Sequence, residues 1–120
     1  MRQFKRSDRL AEQIRRDIST LLETELADIG VGMVTFTRVR LTNDLRHAKV
    51  YYSFLGNEED RERIAGYLES HSGRIRSQVG RQLHIRHIPE LAFVFDPSVE
   101  EGIRIEQLLN EIKSDSEKDQ

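Results

Sequence analysis

The chain predicts an α+β fold in the order helix, strand, strand, helix, kink, helix, strand, helix, with a three-stranded sheet packed by helices on one face. Three observations predict it. Apolar residues recur at three- and four-residue spacing in several stretches, two runs rich in β-branched residues flank a short polar turn, and Ser72-Gly73 interrupts a helical pattern.

At 120 residues the chain is long enough for one domain with one core and too short for two ordinary ones. One domain is expected over residues 1–113, with a disordered acidic tail over 114–120. Charged residues make up 33%, which is polar for a globular protein, yet the apolar residues are grouped periodically rather than scattered. Cysteine is absent, which excludes disulfides and thiolate metal sites. The N-terminal MRQFKRSDRL has no apolar stretch behind its charges, and no segment reaches the length needed to cross a bilayer. A cytoplasmic protein is the expectation.

The first helix is predicted from Ser7 as N-cap, with Asp8 in its first turn. Leu10, Ile14, Ile18, Leu21, Leu22, Leu26 and Ile29 form its core stripe, and it should end before Gly30 and Gly32. MVTFTRVRL and HAKVYYSFL, joined by Thr42 to Arg46, read as a hairpin. In its second strand Ala48, Val50, Tyr52 and Phe54 share the core face, while His47, Lys49, Tyr51 and Ser53 share the other.

Asn57 can cap the next helix, whose buried side is predicted to be Ile64, Ala65 and Leu68. His71-Ser72-Gly73 then breaks or kinks it. Beyond the break Ile75, Val79 and Leu83 form an apolar stripe. At about 100° per residue, Arg74, Ser77, Arg81 and His84 gather opposite that stripe, with Arg76 at the flank. Ile88 to Phe95 reads as a third strand with Leu91, Phe93 and Phe95 on one face. A last helix, with Ser98 and Glu101 at capping-box spacing, carries Val99, Ile105, Leu108, Leu109 and Ile112.

The net charge of -2 excludes a uniformly basic, histone-like binder, but the charge is uneven. Arg2, Lys5, Arg6, Arg9, Arg15 and Arg16 face only Asp8 and Glu12, and no acid lies between Glu69 and Glu90. Inside that window stand Arg74, Arg76, Arg81 and Arg86 with His71, His84 and His87. A solvated helix face usually mixes signs. One sign over this length points to an anionic partner, with RNA the natural candidate, because arginine pairs with phosphate through a bidentate fork. Arg38, Arg40, Lys49 and Tyr51 on the outer face of the hairpin could extend the footprint.

Signals for catalysis are weak. The chain has no GxxxxGK[ST], GxSxG or HExxH, and Gly30-Val31-Gly32 lacks the third glycine of a dinucleotide fingerprint. Ser72 or Ser77 beside a histidine is the best nucleophile available, but both are better explained as small residues at a break and on an exposed helix face. His84 and His87 straddle a helix–strand boundary, with no cysteine or nearby carboxylate to complete a metal set. No enzyme activity, cofactor or metal is expected.

The ordered motifs resemble the bacterial ribosome-binding factor A family over about Phe4 to Ile112. They are Phe4-Lys5-Arg6 with Arg9 and Leu10, Leu41-Thr42-Asn43-Asp44-Leu45 followed by Ala48-Lys49-Val50-Tyr51, Ser72-Gly73-Arg74-Ile75-Arg76-Ser77 with Gly80, Ile88-Pro89-Glu90-Leu91, and Glu101-Gly102-Ile103-Arg104. The resemblance implies a KH-like type II domain without the GxxG loop of ordinary KH domains. An Ala-x-Gly kink takes that loop's place in the family, and His71 stands here at the alanine position, so an imidazole must find room or point outward. It further implies a non-enzymatic assembly factor that binds the small (30S) ribosomal subunit and assists late maturation of 16S rRNA, with a role in cold adaptation and a functional link to ribosome-assembly GTPases.

The RNA-binding set expected on this reading is Arg6, Arg9, Ser72, Gly73, Arg74, Arg76, Ser77, Arg81, His84 and Arg86, with Gly73 setting the angle between helices and the protein acting as a monomer. The alternative is a protein-interaction module that binds an acidic partner through the same basic strip.

Overall fold

The computed structural model describes residues 6–30 and 33–118, with side chains described to Lys113. Phe4, Lys5, Gly32 and the end of the expected tail lie outside the described residues. Helix α1 runs Arg6–Asp28, and Ile14, Ile18 and Leu22 are fully buried along its stripe. It begins before Ser7, so that serine sits inside the first turn rather than capping it. The helix closes as expected at Gly30, whose φ of 77° is the left-handed conformation glycine adopts without a Cβ clash.

Strands β1 (Val34–Leu41) and β2 (His47–Phe54) pair antiparallel. Phe36 and Val39 both belong to the core, yet they are three residues apart, which strict alternation forbids. A bulge between Phe36 and Arg38 resolves the conflict by leaving Thr37 unpaired. Thr37 Oγ1 donates to Asp96 Oδ2 at 3.1 Å, tying the bulge to the end of the third strand. On β2 the alternation follows the sequence pattern, except that Ser53, on the outer face, is buried.

Helix α2 (Glu58–Ser70) is capped by Asn57, whose Oδ1 accepts the Asp60 N–H at 2.7 Å. Ile64 and Leu68 are fully buried, but Ala65 is exposed, so the buried side is narrower than predicted. Helix α3 (Ser72–Leu83) follows after the single residue His71. Strand β3 (Glu90–Phe95) then pairs parallel to β2. The sheet order is β1-β2-β3, with β2 central and the α2–α3 pair forming the crossover that a parallel neighbour requires. The fully buried side chains of α1, α2 and α3 meet Val50 of β2 in one core cluster.

Helix α4 runs Ser98–Lys118, so the backbone is helical over the first five residues of the tail expected to be disordered. The expected Ser98 cap is displaced by two residues: Asp96 Oδ1 accepts the Ser98 N–H at 3.0 Å, which makes Ser98 the first residue inside the helix. The apolar residues of α4 form the expected pattern but remain open, Ile105 at 57% and Ile112 at 64% exposure. No helix among the described residues is long and apolar enough to cross a membrane.

Candidate nucleic-acid interface

The α2–α3 junction is a one-residue break. His71 has φ −105° and ψ 7°, outside the helical well, while its N–H still donates to Tyr67 O at 3.1 Å and its carbonyl accepts from Ile75 N–H at 2.9 Å. The imidazole finds room by stacking on Tyr67, with ring centroids 4.1 Å apart and planes 25° from parallel. Its Nδ1 lies 2.8 Å from Tyr67 O. A carbonyl oxygen can only accept, so Nδ1 carries the proton toward it. Gly73 has no positive φ, and a Cβ there would meet nothing within 4 Å. Its contribution to the break is therefore low helix propensity rather than a required left-handed turn.

The basic residues of α3 divide into three directions. Arg74 points to α1, where Nη1 and Nη2 donate to Glu25 Oε1 and Oε2, each at 2.8 Å, and Nη1 also donates to Gln78 Oε1. Tyr67 Oη donates to the same carboxylate at 3.1 Å. The Arg74 guanidinium holds the Glu25 carboxyl below its ordinary range against the opposing effect of burial, and Tyr67 adds to the lowering. Burial, then the hydrogen bond to Glu25 and its charge, push the Tyr67 hydroxyl up. One carboxylate thus joins α1, α2 and α3 beside the break.

Arg76 points to the approach of β3. Its Nε donates to Pro89 O at 3.1 Å and its Nη2 to Ile88 O at 2.6 Å, fixing the segment before the strand. Gly80 serves the same junction, since a Cβ there would overlap the Ile88 side chain. Ser72 is also turned toward β3, lining a cleft with Glu69, Leu91 and Phe93.

In the third direction Ser77, Arg81 and His84 recur at four- and three-residue spacing on the open face of α3 and its cap, and Arg86 follows in the loop beyond. All are exposed, and none of their side chains has a hydrogen-bond or ion-pair partner among the described residues. His84 closes α3 in the left-handed region with φ 53°, which turns the chain toward Arg86. Open donors on, and just beyond, a helix packed by Ile75 and Val79 are suited to phosphate oxygens, and the tied arginines hold the helix rigid.

Arg6 and Arg9 are exposed in the first turns of α1, more than about 20 Å along the helix from Glu25 at 1.5 Å per residue, and no hydrogen bond or ion pair among the described residues joins them to the α3 strip. On the outer sheet face Arg38 lies 4.2 Å over the Tyr51 ring, with Arg40 and Lys49 exposed beside it. Glu25 was absent from the expected site because nothing local links it to Arg74. Tyr67 did carry a signal, standing four residues before His71 and hence on the same helical face.

Comparison with known proteins supplies a family-level match. The sequence model described as ribosome-binding factor A matches residues 6–109. A ribosome-binding factor A from Desulfitobacterium hafniense is 42% identical over 115 residues, covering 96% of this chain and 92% of that protein. One from Dechloromonas aromatica is 44% identical over 108 residues, covering 90% and 87%. The crystal structure of ribosome-binding factor A from Thermus thermophilus superposes with a TM-score of 0.64 at 23% identity, covering 75% of this chain and 96% of that one. A homology model of the Thermus thermophilus factor, fitted into a cryo-EM map of its complex with 30S, gives a TM-score of 0.64 at 23% identity, covering 76% and 96%.

Proposed function

Because the chain belongs to the ribosome-binding factor A family, we propose that it is a non-catalytic assembly factor that binds the small (30S) ribosomal subunit and assists late maturation of 16S rRNA. The observation that carries the reading is the open set of Arg81 in the last turn of α3, His84 at its C-cap and Arg86 in the loop beyond, cationic or hydrogen-bonding groups with no side-chain partner among the described residues, at the end of a helix fixed to the core. Phosphates supply the affinity, and the shape of folded rRNA supplies the specificity. Arg6, Arg9, Ser72, Gly73, Arg74, Arg76 and Ser77 complete the proposed surface. Gly73 and Ser72 act through the break, while Arg74 and Arg76 hold α3 in place. Residues 1–113 act as one RNA-binding domain, as a monomer in the cytoplasm and in functional connection with ribosome-assembly GTPases.

Sedimentation with purified small subunits tests the proposal. With about five phosphates engaged, raising salt from roughly 50 to 200 mM weakens binding by about a hundredfold. Salt-insensitive association would remove the phosphate mechanism. Association that survives nuclease treatment would point instead to an acidic protein partner.

A further inference from the structure

We propose that the cleft between the β1–β2 turn and the loop joining α3 to β3 holds a single unstacked nucleotide of the bound RNA. Its base lies against Leu45 and Ile88, and its phosphate is held by Arg46 and His87. This rests on the RNA-binding reading above and adds a contact that the open α3 residues do not make.

The cleft has a volume of about 710 Å³, ample for one nucleotide. Its walls are fixed. Thr42 Oγ1 donates to Asp44 Oδ1 at 2.7 Å, the same oxygen accepts the Arg46 N–H at 3.1 Å, and Leu45 N–H donates to Thr42 O at 2.9 Å. On the other side Arg76 clamps the Ile88 and Pro89 carbonyls. Glu90 N–H donates to Arg46 O at 2.8 Å and laces the two walls together. A cleft with such walls is present before any ligand arrives.

The turn also holds a side chain that its backbone does not favour. Leu45 has φ 60°, the left-handed region where glycine or asparagine is the unstrained choice, and it is 40% exposed. Strain at a bulky residue that packs little of itself into the core calls for a reason outside folding. Beside the Leu45 and Ile88 side chains stand Arg46 and His87, neither with a side-chain hydrogen bond or ion pair among the described residues, although the Arg46 charge acts on the neighbouring Asp44 carboxylate. Of the acids of the cleft, Asp44 accepts from Thr42 Oγ1 and the Arg46 N–H, and Glu90 stands 3.7 Å from His47 Nδ1, beyond hydrogen-bond distance. An apolar wall beside the uncommitted donors of Arg46 and His87 fits a base with its phosphate, and only an unpaired nucleotide can turn its base into such a cleft. An acidic peptide would use Arg46 and His87 but would leave Leu45 without a role.

The test uses the full chain bound to purified small subunits, with ultraviolet cross-linking mapped to peptides and affinity read by sedimentation. Wild type is expected to cross-link one unpaired rRNA nucleotide to residues 44–47 or 86–90. Leu45→Gly relieves the backbone, so its melting temperature should hold or rise while affinity falls about five- to tenfold and the cross-link disappears. Arg46→Ala/His87→Ala should weaken binding by about tenfold. If wild type binds but yields no such cross-link and both variants bind like it, the cleft proposal fails and the RNA reading stands. If wild type does not bind small subunits, the RNA reading fails and the cleft proposal with it. Nuclease-resistant binding that is lost in Arg46→Ala/His87→Ala yet kept in Leu45→Gly would assign the cleft to an acidic protein and overturn the nucleotide.

Discussion

Arg74 and Arg81 are seven residues apart, near enough to two turns of α3 to share a face, and the structure gives them opposite fates. Arg74 spends its guanidinium on Glu25 and Gln78, while Arg81 has no partner among the described residues. Arg76 and Arg86 repeat the contrast, one clamped on the carbonyls before β3 and the other exposed. A stretch free of acids in sequence is not free of them in space, because α1 lays a carboxylate beside its first arginine. Helical periodicity gives the direction of a side chain and is silent about what another element places there.

The largest expected effect falls on the open pair. Arg81→Glu/Arg86→Glu should weaken small-subunit binding by about a hundredfold near 100 mM salt and leave stability within about 0.5 kcal/mol, as surface changes without partners do. Sedimentation and a urea melt of the same preparation read both numbers. Equal affinity to wild type would abolish the distinction between open and tied arginines.

The tied pair should behave in the reverse way. Arg76→Ala removes charge-assisted donors from Ile88 O and Pro89 O and should destabilise the fold by about 2 kcal/mol in urea titration. Pro89, fully buried, sits in the segment that this arginine fixes. A loss of affinity with no loss of stability would instead move Arg76 to the open class.

Much of the architecture was legible because it follows from local rules. The α1 stripe, the hairpin, the Asn57 cap and the break at His71 all arise from residues within one or two turns of each other. Three features departed from the simple local patterns, the last of them through groups on other elements. The bulge at Thr37 comes from two core residues at a spacing that a strand cannot serve without it. The displaced cap of α4 comes from Asp96 reaching forward to the Ser98 N–H, where Ser98 and Glu101 had the capping-box spacing. The division of the site comes from Glu25 and from the carbonyls before β3. The apolar pattern of α4 predicted the helix correctly, but periodicity describes a face and not its cover, and Ile105 through Ile112 remain open.

A double-mutant cycle measures the Glu25–Arg74 contact directly. Arg74→Ala and Glu25→Ala should each lower stability by about 1 kcal/mol, and the double variant by scarcely more than either one, since the two remove the same bidentate contact. Solvent keeps the figure small, because the side chains are 37% and 29% exposed. Strict additivity would show that the two side chains act independently.

The same pair predicts the smallest effect, in acid. Glu25 has its folded carboxyl lowered from the ordinary 4.5, first by Arg74. Its contribution to stability is therefore complete above that ordinary value and is lost as pH falls through the lower folded one. The lowered carboxyls of Glu12, Asp44 and Asp96 are common to wild type and Arg74→Ala and cancel in their difference. That difference should hold steady from pH 7 to about 5 and then shrink by a few tenths of a kcal/mol toward pH 3. A difference that widens on acidification would mean that Arg74 stabilises the fold through something other than the Glu25 carboxylate.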